Sequence, residues 1–404
     1  MDRDSVRGCP ICEARRCEVL HTQRFVLPEG HPLADGYDVV CCRGCGFVYA
    51  DTAVSQRDYD TFYRKYSKYE DQKISTGGDV PWDARRLHDA AAAVADFIGS
   101  RDARILDVGC ANGGLLRILK GLGFHDLTGL DPSPACAENT RRIAGVRAET
   151  GSLADPPANF GPFDCVILSH VLEHVQDLRP SIAAVAKLTA EDGCVYLETP
   201  DAARYDECLV APFQDFNTEH INHFSLGCLV NLARTAGLAP ERHGFKTHEA
   251  PPPLPYPAVF AIFRKTTAPA ELVPDGQLRG KINAYIAGSR RLMQRIDAQL
   301  RHLVNEQQEL IVWGTGQLAM KLLAETALGD ARIAAFVDGN SINHGKRLRG
   351  RPILAPQDVR GLPHTIVITT MLHQRDILEG IRGRLGLSNP IVTLADQPSA
   401  GVAV

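Results

Sequence analysis

Ile105-Leu106-Asp107-Val108-Gly109-Cys110-Ala111-Asn112-Gly113-Gly114 sets the fold class of this chain. An apolar run ends in an acidic residue and a glycine-rich bend, and residues 115–119 continue as a helix. Gly109 and Gly113 let a ligand approach the backbone closely, and the carboxyl ends of parallel strands are where such ligands sit. Leu127-Thr128-Gly129-Leu130-Asp131 reads as a second strand ending in a carboxylate, 24 residues after Asp107. A carboxylate there can accept both hydroxyls of a ribose. Short buried strands are predicted at 104–108, 126–130, 164–169 and 194–198 with helical stretches between them, and that alternation argues a parallel sheet covered on both faces. Upstream, Ala90, Ala93, Val94 and Phe97 predict a helix over 82–98. Downstream, 247–257 has the composition of a loop, 258–263 reads as a strand, and 266–275 is a proline-containing linker.

With 404 residues, two or three domains are expected. The chain is 44% hydrophobic and 23% charged, which leaves ample apolar surface for a core and excludes a disordered or fibrous class. Its net charge of −4 supplies no basic field for a nucleic-acid backbone or an anionic membrane. No run of about 18 apolar residues exists. The start, Met1-Asp2-Arg3-Asp4, lacks the pattern of a secretory signal, so a cytoplasmic protein is expected.

Six of the 12 cysteines fall between positions 9 and 45. Cys9-Pro10-Ile11-Cys12 and Cys42-Arg43-Gly44-Cys45 are two C-x2-C knuckles separated by 29 residues. Each places two thiolates at one turn, and four thiolates make a closed tetrahedral zinc site that serves folding rather than chemistry. The spacer is longer than that of a compact ribbon, so Cys17, His21 and Cys41 stand as alternative ligands. Residues 1–60 around these cysteines are too few to hold together by apolar burial alone.

The pattern D-x-G-C-x-x-G, the strand ending in Asp131, and then Phe163-Asp164-Cys165-Val166-Ile167 resemble the S-adenosylmethionine-dependent class I methyltransferases. The resemblance implies that Asp107, Gly109, Cys110 and Gly113 form the turn taking the methionine part, that Asp131 takes the ribose, and that Ser152 and Leu153 lie near adenine. The spacing G-x-G-x-x-G of a pyrophosphate site is missing here, which favours this cofactor over a nicotinamide one. Ser169-His170-Val171-Leu172-Glu173-His174 follows the fourth strand, where the methyl group would be presented. Ser169 is then a cofactor contact, and His174 is either a catalytic group or a packing one.

Asn217-Thr218-Glu219-His220-Ile221-Asn222-His223-Phe224-Ser225 gathers a carboxylate, two imidazoles and amides just before a helix that Ser225 can cap. A histidine beside a carboxylate is the commonest general-base arrangement near neutral pH. Together, the cysteine pairs, the central methyltransferase pattern, Glu219-His220 and a further α/β unit resemble the sugar C-methyltransferases of nucleotide-linked 4-keto deoxysugars, over nearly the whole chain. The resemblance implies His220 as the base, Glu219 as its orienting or charging partner, and a site tyrosine from the connector, Tyr66 or Tyr69. It also implies a nucleotide-linked sugar as substrate, while the acidic net charge argues against nucleic acid and membrane as partners. Family members that methylate the third carbon carry a tyrosine two residues before the glutamate, where this chain has Asn217. An O- or N-methyltransferase with the same modules, using His220 on a hydroxyl or amine, is the alternative.

A long helix is predicted over 277–305, with Leu278, Ile282, Tyr285, Leu292, Ile296, Leu300 and Leu303 on one stripe. Beyond it, Leu310-Ile311-Val312-Trp313-Gly314-Thr315-Gly316-Gln317-Leu318-Ala319 is a second strand, glycine turn and helix, and Asp338 follows 22 residues after Gly316. Spacing alone reads as a dinucleotide fingerprint. The family resemblance instead implies a turn without its own cofactor, in a domain that helps to hold the nucleotide-sugar. Lys346, Arg347 and Arg349 either meet its phosphates or form a solvated basic loop. The expected architecture is α/β: a zinc-binding module (1–60), a class I methyltransferase Rossmann-like core (61–270), and a linker helix with a C-terminal Rossmann-like α/β domain (271–404). The expected cofactors are S-adenosyl-L-methionine and a structural Zn2+.

Overall fold

Ile105, Leu106, Asp107 and Val108 are all buried, as a strand covered on both faces requires. In the computed structural model, which describes residues 2–66, 76–77, 81–158, 160–250, 254–268 and 271–394, they form the middle of a parallel sheet. The elements run β1 (Asp2–Asp4), β2 (Arg16–Arg24), β3 (Gly36–Cys42), β4 (Val48–Asp51), α1 (Gln56–Tyr66), α2 (Pro81–Ile98), β5 (Ile105–Val108), α3 (Gly114–Gly121) and β6 (Leu127–Asp131). Next come α4 (Pro134–Ala144), β7 (Arg147–Thr150), β8 (Phe163–Ser169), α5 (Leu178–Leu188), β9 (Thr189–Pro200), β10 (Asn222–His223), α6 (Leu226–Arg234), β11 (Leu238–Ala250) and β12 (Leu254–Lys265). The chain continues through α7 (Leu278–Asn305), β13 (Glu309–Trp313), α8 (Gln317–Glu325), β14 (Arg332–Val337), β15 (Arg347–Leu348), β16 (Arg351–Leu354), β17 (Thr365–Ile368), α9 (Gln374–Glu379) and β18 (Ile391–Thr393). None of the described helices is long and apolar enough to cross a membrane.

These elements form two compact units: Met1–His21, Asp38–Cys208 and Glu219–Ile282 in the first, Thr22–Tyr37, Leu209–Thr218 and Asn283–Val404 in the second. In the first, a seven-stranded sheet has the order β11-β12-β9-β8-β5-β6-β7. The strands from β9 to β7 are parallel, and β12 and β11 add antiparallel at one edge. Leu87, Ala90 and Val94 of α2 pack with Leu116 and Leu119 of α3 and with Ile105, Ile167 and Tyr196 of the sheet. Helical spacing thus turns one stripe of α2 onto the strands.

One expectation changes here. Thr247 and His248, read as loop, lie in β11, which pairs with β12 from Leu238↔Lys265 through Ala250↔Leu254. An edge strand tolerates the polar composition that argued against a strand, because only one of its sides needs ladder partners, and Pro251, Pro252 and Pro253 lie outside the described residues. The 266–275 segment, read as a linker, has neither helix nor strand among its described residues and is anchored at its end: Asp275 N–H donates to Cys45 O at 2.9 Å, and the Ser225 hydroxyl donates to its carboxylate at 2.5 Å. Asp275 Oδ1 also accepts from Gln277 and Leu278 N–H, capping α7.

A second sheet of the first unit, in the order β1-β2-β3-β4-β10, carries the cysteine knuckles. Its outer strand β10 pairs antiparallel with β4, Asn222↔Tyr49 and His223↔Val48. The second unit holds a six-stranded sheet, β15-β16-β14-β13-β17-β18, in which β13 runs parallel to both β14 and β17. Ile311, Trp313, Val337, Ile366 and Ile368 form its core.

Candidate active site

The strand order reverses between β5 and β8, with β6 and β7 on one side and β8 and β9 on the other; this is the switch point at which open α/β sheets bind ligands. Just past β5, Gly109, Ala111 and Gly113 all take left-handed backbone angles (φ 72°, 46° and 76°), which turns the chain into α3. A β-carbon on Gly109 would lie 2.7 Å from Val171 Cγ2, and one on Gly113 would lie 2.9 Å from Thr140 Cγ2. The glycines are therefore required by the protein's own packing as well as by φ, rather than only by ligand approach. The Cys110 thiol is buried beside Thr140 and Gly129.

Asp131 ends β6 with Oδ2 accepting from Ala111 N–H and Oδ1 from Ser133 N–H, both at 2.9 Å. Burial pushes its carboxyl up to about 6, against those two hydrogen bonds. Burial, followed by the nearness of Asp131, pushes Asp107 up to about 8. Two buried carboxyls at adjacent strand ends are short of donors, and a ligand bringing hydroxyl and ammonium groups fits them. Gly151 N–H donates to Asp131 O at 3.0 Å, which ties the turn containing Ser152 and buried Leu153 to the same strand end. Ser169 ends β8, its hydroxyl 3.4 Å from Glu198 Oε1. A separate cavity lined by Arg104, Lys120, Asp126, Arg147 and Phe163 lies at the opposite, amino ends of these strands.

After β8 the chain forms a tight turn, Leu172–His174, that displays Glu173 and His174. Glu173 is 1% exposed. Its Oε1 is 3.2 Å from His170 Nδ1 and 4.0 Å from His174 Nε2. Ring atoms of His174 and His220 and a Glu173 oxygen all lie within 4.8 Å of one another, with the two rings edge-on at 4.8 Å between centres. Tyr63 from α1 places its hydroxyl 2.8 Å from His174 Nδ1, which is also 3.1 Å from the Glu219 carbonyl. Tyr69 lies outside the described residues, as does the side chain of Tyr66, which ends α1.

Backbone pairing fixes the Glu219-His220 segment. Ile221 N–H donates to Glu173 O and its carbonyl accepts from Ala50 N–H, each at 2.8 Å. The Asn222 amide donates to Leu172 O at 2.8 Å and Val175 O at 2.7 Å, while its Oδ1 accepts from Arg7 at 2.7 Å. Ser225 then caps α6, accepting from Cys228 N–H at 3.2 Å. The two histidines of this stretch part ways: His223 is fully buried and burial, then Arg7, holds it down to about 3, whereas His220 is half-buried beside His174. Asn217 belongs to the second unit, where its carbonyl accepts from the Tyr37 hydroxyl at 2.8 Å.

A family model described as a methyltransferase domain matches residues 82–243. The chain carries a class I S-adenosylmethionine-dependent methyltransferase domain. A second model, described as C2185-like, N-terminal, matches residues 306–390. The ubiquinone biosynthesis O-methyltransferase of Xylella fastidiosa (strain 9a5c) is 30% identical over 159 residues, 35% of this chain and 63% of that protein. The enzyme of the same description from Neisseria meningitidis serogroup A is 31% identical over 157 residues, 34% of this chain and 64% of that protein. The chain thus spans somewhat less than two thirds of these relatives. Among solved structures, the 1,6-didemethyltoxoflavin-N1-methyltransferase of Burkholderia thailandensis with bound S-adenosylhomocysteine is 20% identical, with a TM-score of 0.39 over 56% of this chain and 97% of that one.

The methyltransferase domain holds a further buried cluster that the sequence did not announce. Glu198, fully buried near the end of β9, accepts from Lys246 Nζ at 2.5 Å and from the Tyr196 hydroxyl through Oε2. Its Oε1 lies 3.2 Å from His170 Nε2 and 3.7 Å from His248 Nε2. The carboxylate stays well below its ordinary range despite burial, because His170, His248 and Lys246 surround it. Lys246 and His248 stand on β11, inside or beside the stretch whose composition reads as loop, so no local signal pointed to them.

Outside the methyltransferase domain, the sulfurs of Cys9, Cys12, Cys42 and Cys45 converge within 4.8 Å of one another. Cys9 Sγ and Cys45 Sγ are 3.5 Å apart and Cys12 Sγ and Cys42 Sγ 3.4 Å, close to the roughly 3.8 Å edge of a tetrahedron with zinc–sulfur bonds near 2.3 Å. Gly44 N–H donates to Cys42 Sγ at 3.3 Å, as a metal knuckle needs. Cys17 and Cys41 instead donate to carbonyls, those of Arg3 at 3.4 Å and Gly46 at 3.6 Å. In the second unit, Arg347 and Arg349 donate to the carbonyls of Gly350 and Gly329.

Proposed function

We propose that the protein is an S-adenosylmethionine-dependent C-methyltransferase of a nucleotide-linked keto-deoxysugar, with His220 as general base. The convergence of His220, His174 and Glu173 beside the end of β8 carries the reading, since that strand end borders the switch point of the sheet. S-adenosylmethionine, when bound, supplies a methyl group activated by its positive sulfur, and Asp107, Asp131 and the turn from Gly109 to Gly113 are the residues that would hold it. His220 removes the acidic proton beside the sugar ketone and leaves a carbon nucleophile. Glu219 orients or charges that imidazole, and Glu173, within reach of both rings, offsets the positive charge as the proton arrives. Tyr63 fixes His174. The four converging cysteines hold a structural zinc that keeps β4 in place for β10.

O-methyl transfer is the second reading. It is favoured by the names of the relatives, and the same histidine would then deprotonate a hydroxyl. Incubation of a nucleotide-linked 4-keto-deoxysugar with the enzyme in D2O separates the two. Carbon methylation requires removal of the hydrogen beside the ketone, which shows as exchange with solvent when S-adenosylhomocysteine replaces the methyl donor, and His220→Asn should lower exchange and methylation together by at least about a hundredfold while S-adenosylhomocysteine still binds. A product methylated on oxygen, or a fully active His220→Asn enzyme, sinks the carbon reading.

A further inference from the structure

We infer that His170, His248 and Glu198 form a binding site for a divalent transition-metal ion, separate from the cysteine cluster. The ligand atoms of all three lie within 4.8 Å of one another, and the shared oxygen, Glu198 Oε1, is 3.2 Å from His170 Nε2 and 3.7 Å from His248 Nε2. Neighbouring ligands around an ion with bonds near 2.1 Å sit roughly 3.0 to 3.5 Å apart, so small inward shifts close the set. Two imidazoles and one carboxylate suit first-row divalent ions and, as three protein ligands, leave coordination positions open.

The surroundings are those of ligands held by partners of their own. His170 Nδ1 faces the buried carboxylate of Glu173 at 3.2 Å, which orients the ring and directs Nε2 toward Glu198. The second oxygen of Glu198 is taken by Lys246 and Tyr196, while Oε1, 3.4 Å from the Ser169 hydroxyl, faces the two histidines. His248 Nδ1, in a side chain 4% exposed, has no hydrogen-bond partner although buried, and the Nε2 atoms of both histidines face Glu198 Oε1 without an aligned hydrogen bond. Buried polar atoms without partners are uncommon and call for a ligand. His170 also adopts a left-handed backbone (φ 57°), secured by its N–H to Glu198 O at 2.8 Å; an ordinary side chain accepts that conformation at a cost, and such costs gather at sites. In the neighbouring trio Glu173, His174 and His220, His174 Nδ1 already lies between the Tyr63 hydroxyl and the Glu219 carbonyl. The inference does not depend on the methyl acceptor.

The test titrates full-length protein with Co2+ and counts metal per chain after removal of free ion. Wild type should retain one ion more per chain than His248→Ala, whatever the cysteines hold, with His248→Ala still binding S-adenosylhomocysteine. The additional ion should show weak ligand-field bands without the sulfur-to-metal charge transfer of a thiolate site. Equal metal content in wild type and His248→Ala overturns the inference. If that variant fails to fold, the wild-type spectrum decides: cobalt bands of a nitrogen and oxygen site support it, and thiolate bands alone, or none, overturn it.

Discussion

The chain contains two strand–glycine–helix turns that look alike in sequence and differ in what their acidic residue does. At the second, Asp338 Oδ2 accepts from Thr315 N–H at 3.0 Å, from the Thr315 hydroxyl and from the Asn343 amide at 3.3 Å, and Oδ1 accepts from Asn340 N–H at 2.8 Å. At the first, Asp131 has two backbone donors, is pushed up to about 6 by burial, and has a second buried carboxyl, Asp107, beside it. A carboxylate with its lone pairs filled by its own loop stabilises that loop; one short of donors gains when a ligand supplies them. The backbones differ likewise: three left-handed residues in the first turn, against Gly314 alone at φ 99° in the second, where Gly316 is extended in ψ with φ −77°.

The two acids should respond most differently to substitution. Asp131→Ala should weaken S-adenosylhomocysteine binding by about 1.5 to 3 kcal/mol, the scale for hydrogen bonds to a charged acceptor, measured by calorimetry. Asp338→Ala should leave that affinity unchanged and appear only as a lower melting temperature. Equal losses from both would erase the distinction drawn between the turns. The glycines come next. Gly109→Ala places a methyl 2.7 Å from Val171 Cγ2 at a positive φ, and should destabilise the protein by about 1 to 2 kcal/mol from the backbone alone. Gly316→Ala has nothing within 4 Å and an ordinary φ, so denaturant unfolding should show little change.

The smallest effect is in pH. Asp131 has its folded pKa raised from 3.8 to about 6, so its contribution to stability is present below about pH 4 and lost as pH rises through about 6. Ligand donors favour the ionised form, so S-adenosylhomocysteine affinity should fall by about tenfold between pH 7 and pH 5. Asp131→Asn should flatten that profile, and a wild-type profile already flat would show that the acid lies outside the ribose site.

Much of this contrast is absent from the sequence. The first turn was legible because strand, glycines and Asp131 are close in the chain, and the cysteine convergence because each knuckle is a local turn. The cap at Ser225 was legible for the same reason. Counting lone pairs on Asp131 and Asp338 needs coordinates, since a matching spacing says nothing about which loop donors point inward. The Glu198 cluster joins His170 and Glu198, at the ends of β8 and β9, to Lys246 and His248 on an edge strand whose polar composition suggested a loop. Glu173 was visible only as part of a Leu-Glu-His stretch. Its reach to three histidines depends on a tight turn, and Tyr63 reaches His174 from one helical turn before Tyr66. A two-residue strand such as β10 has no periodicity to detect.

That short strand also orders events during synthesis. Val48 and His223 pair across about 170 residues of chain, so the cysteine module emerges from the ribosome with β4 as an open edge, and the parallel core must be translated before its partner exists. Open edges are templates for wrong pairing, and tying β4 down early limits that hazard. On the function proposed above, oxidation of the cysteines in this interval would leave β10, and the His220 backbone just before it, without the strand it pairs with, while the distant glycine turn keeps its own contacts.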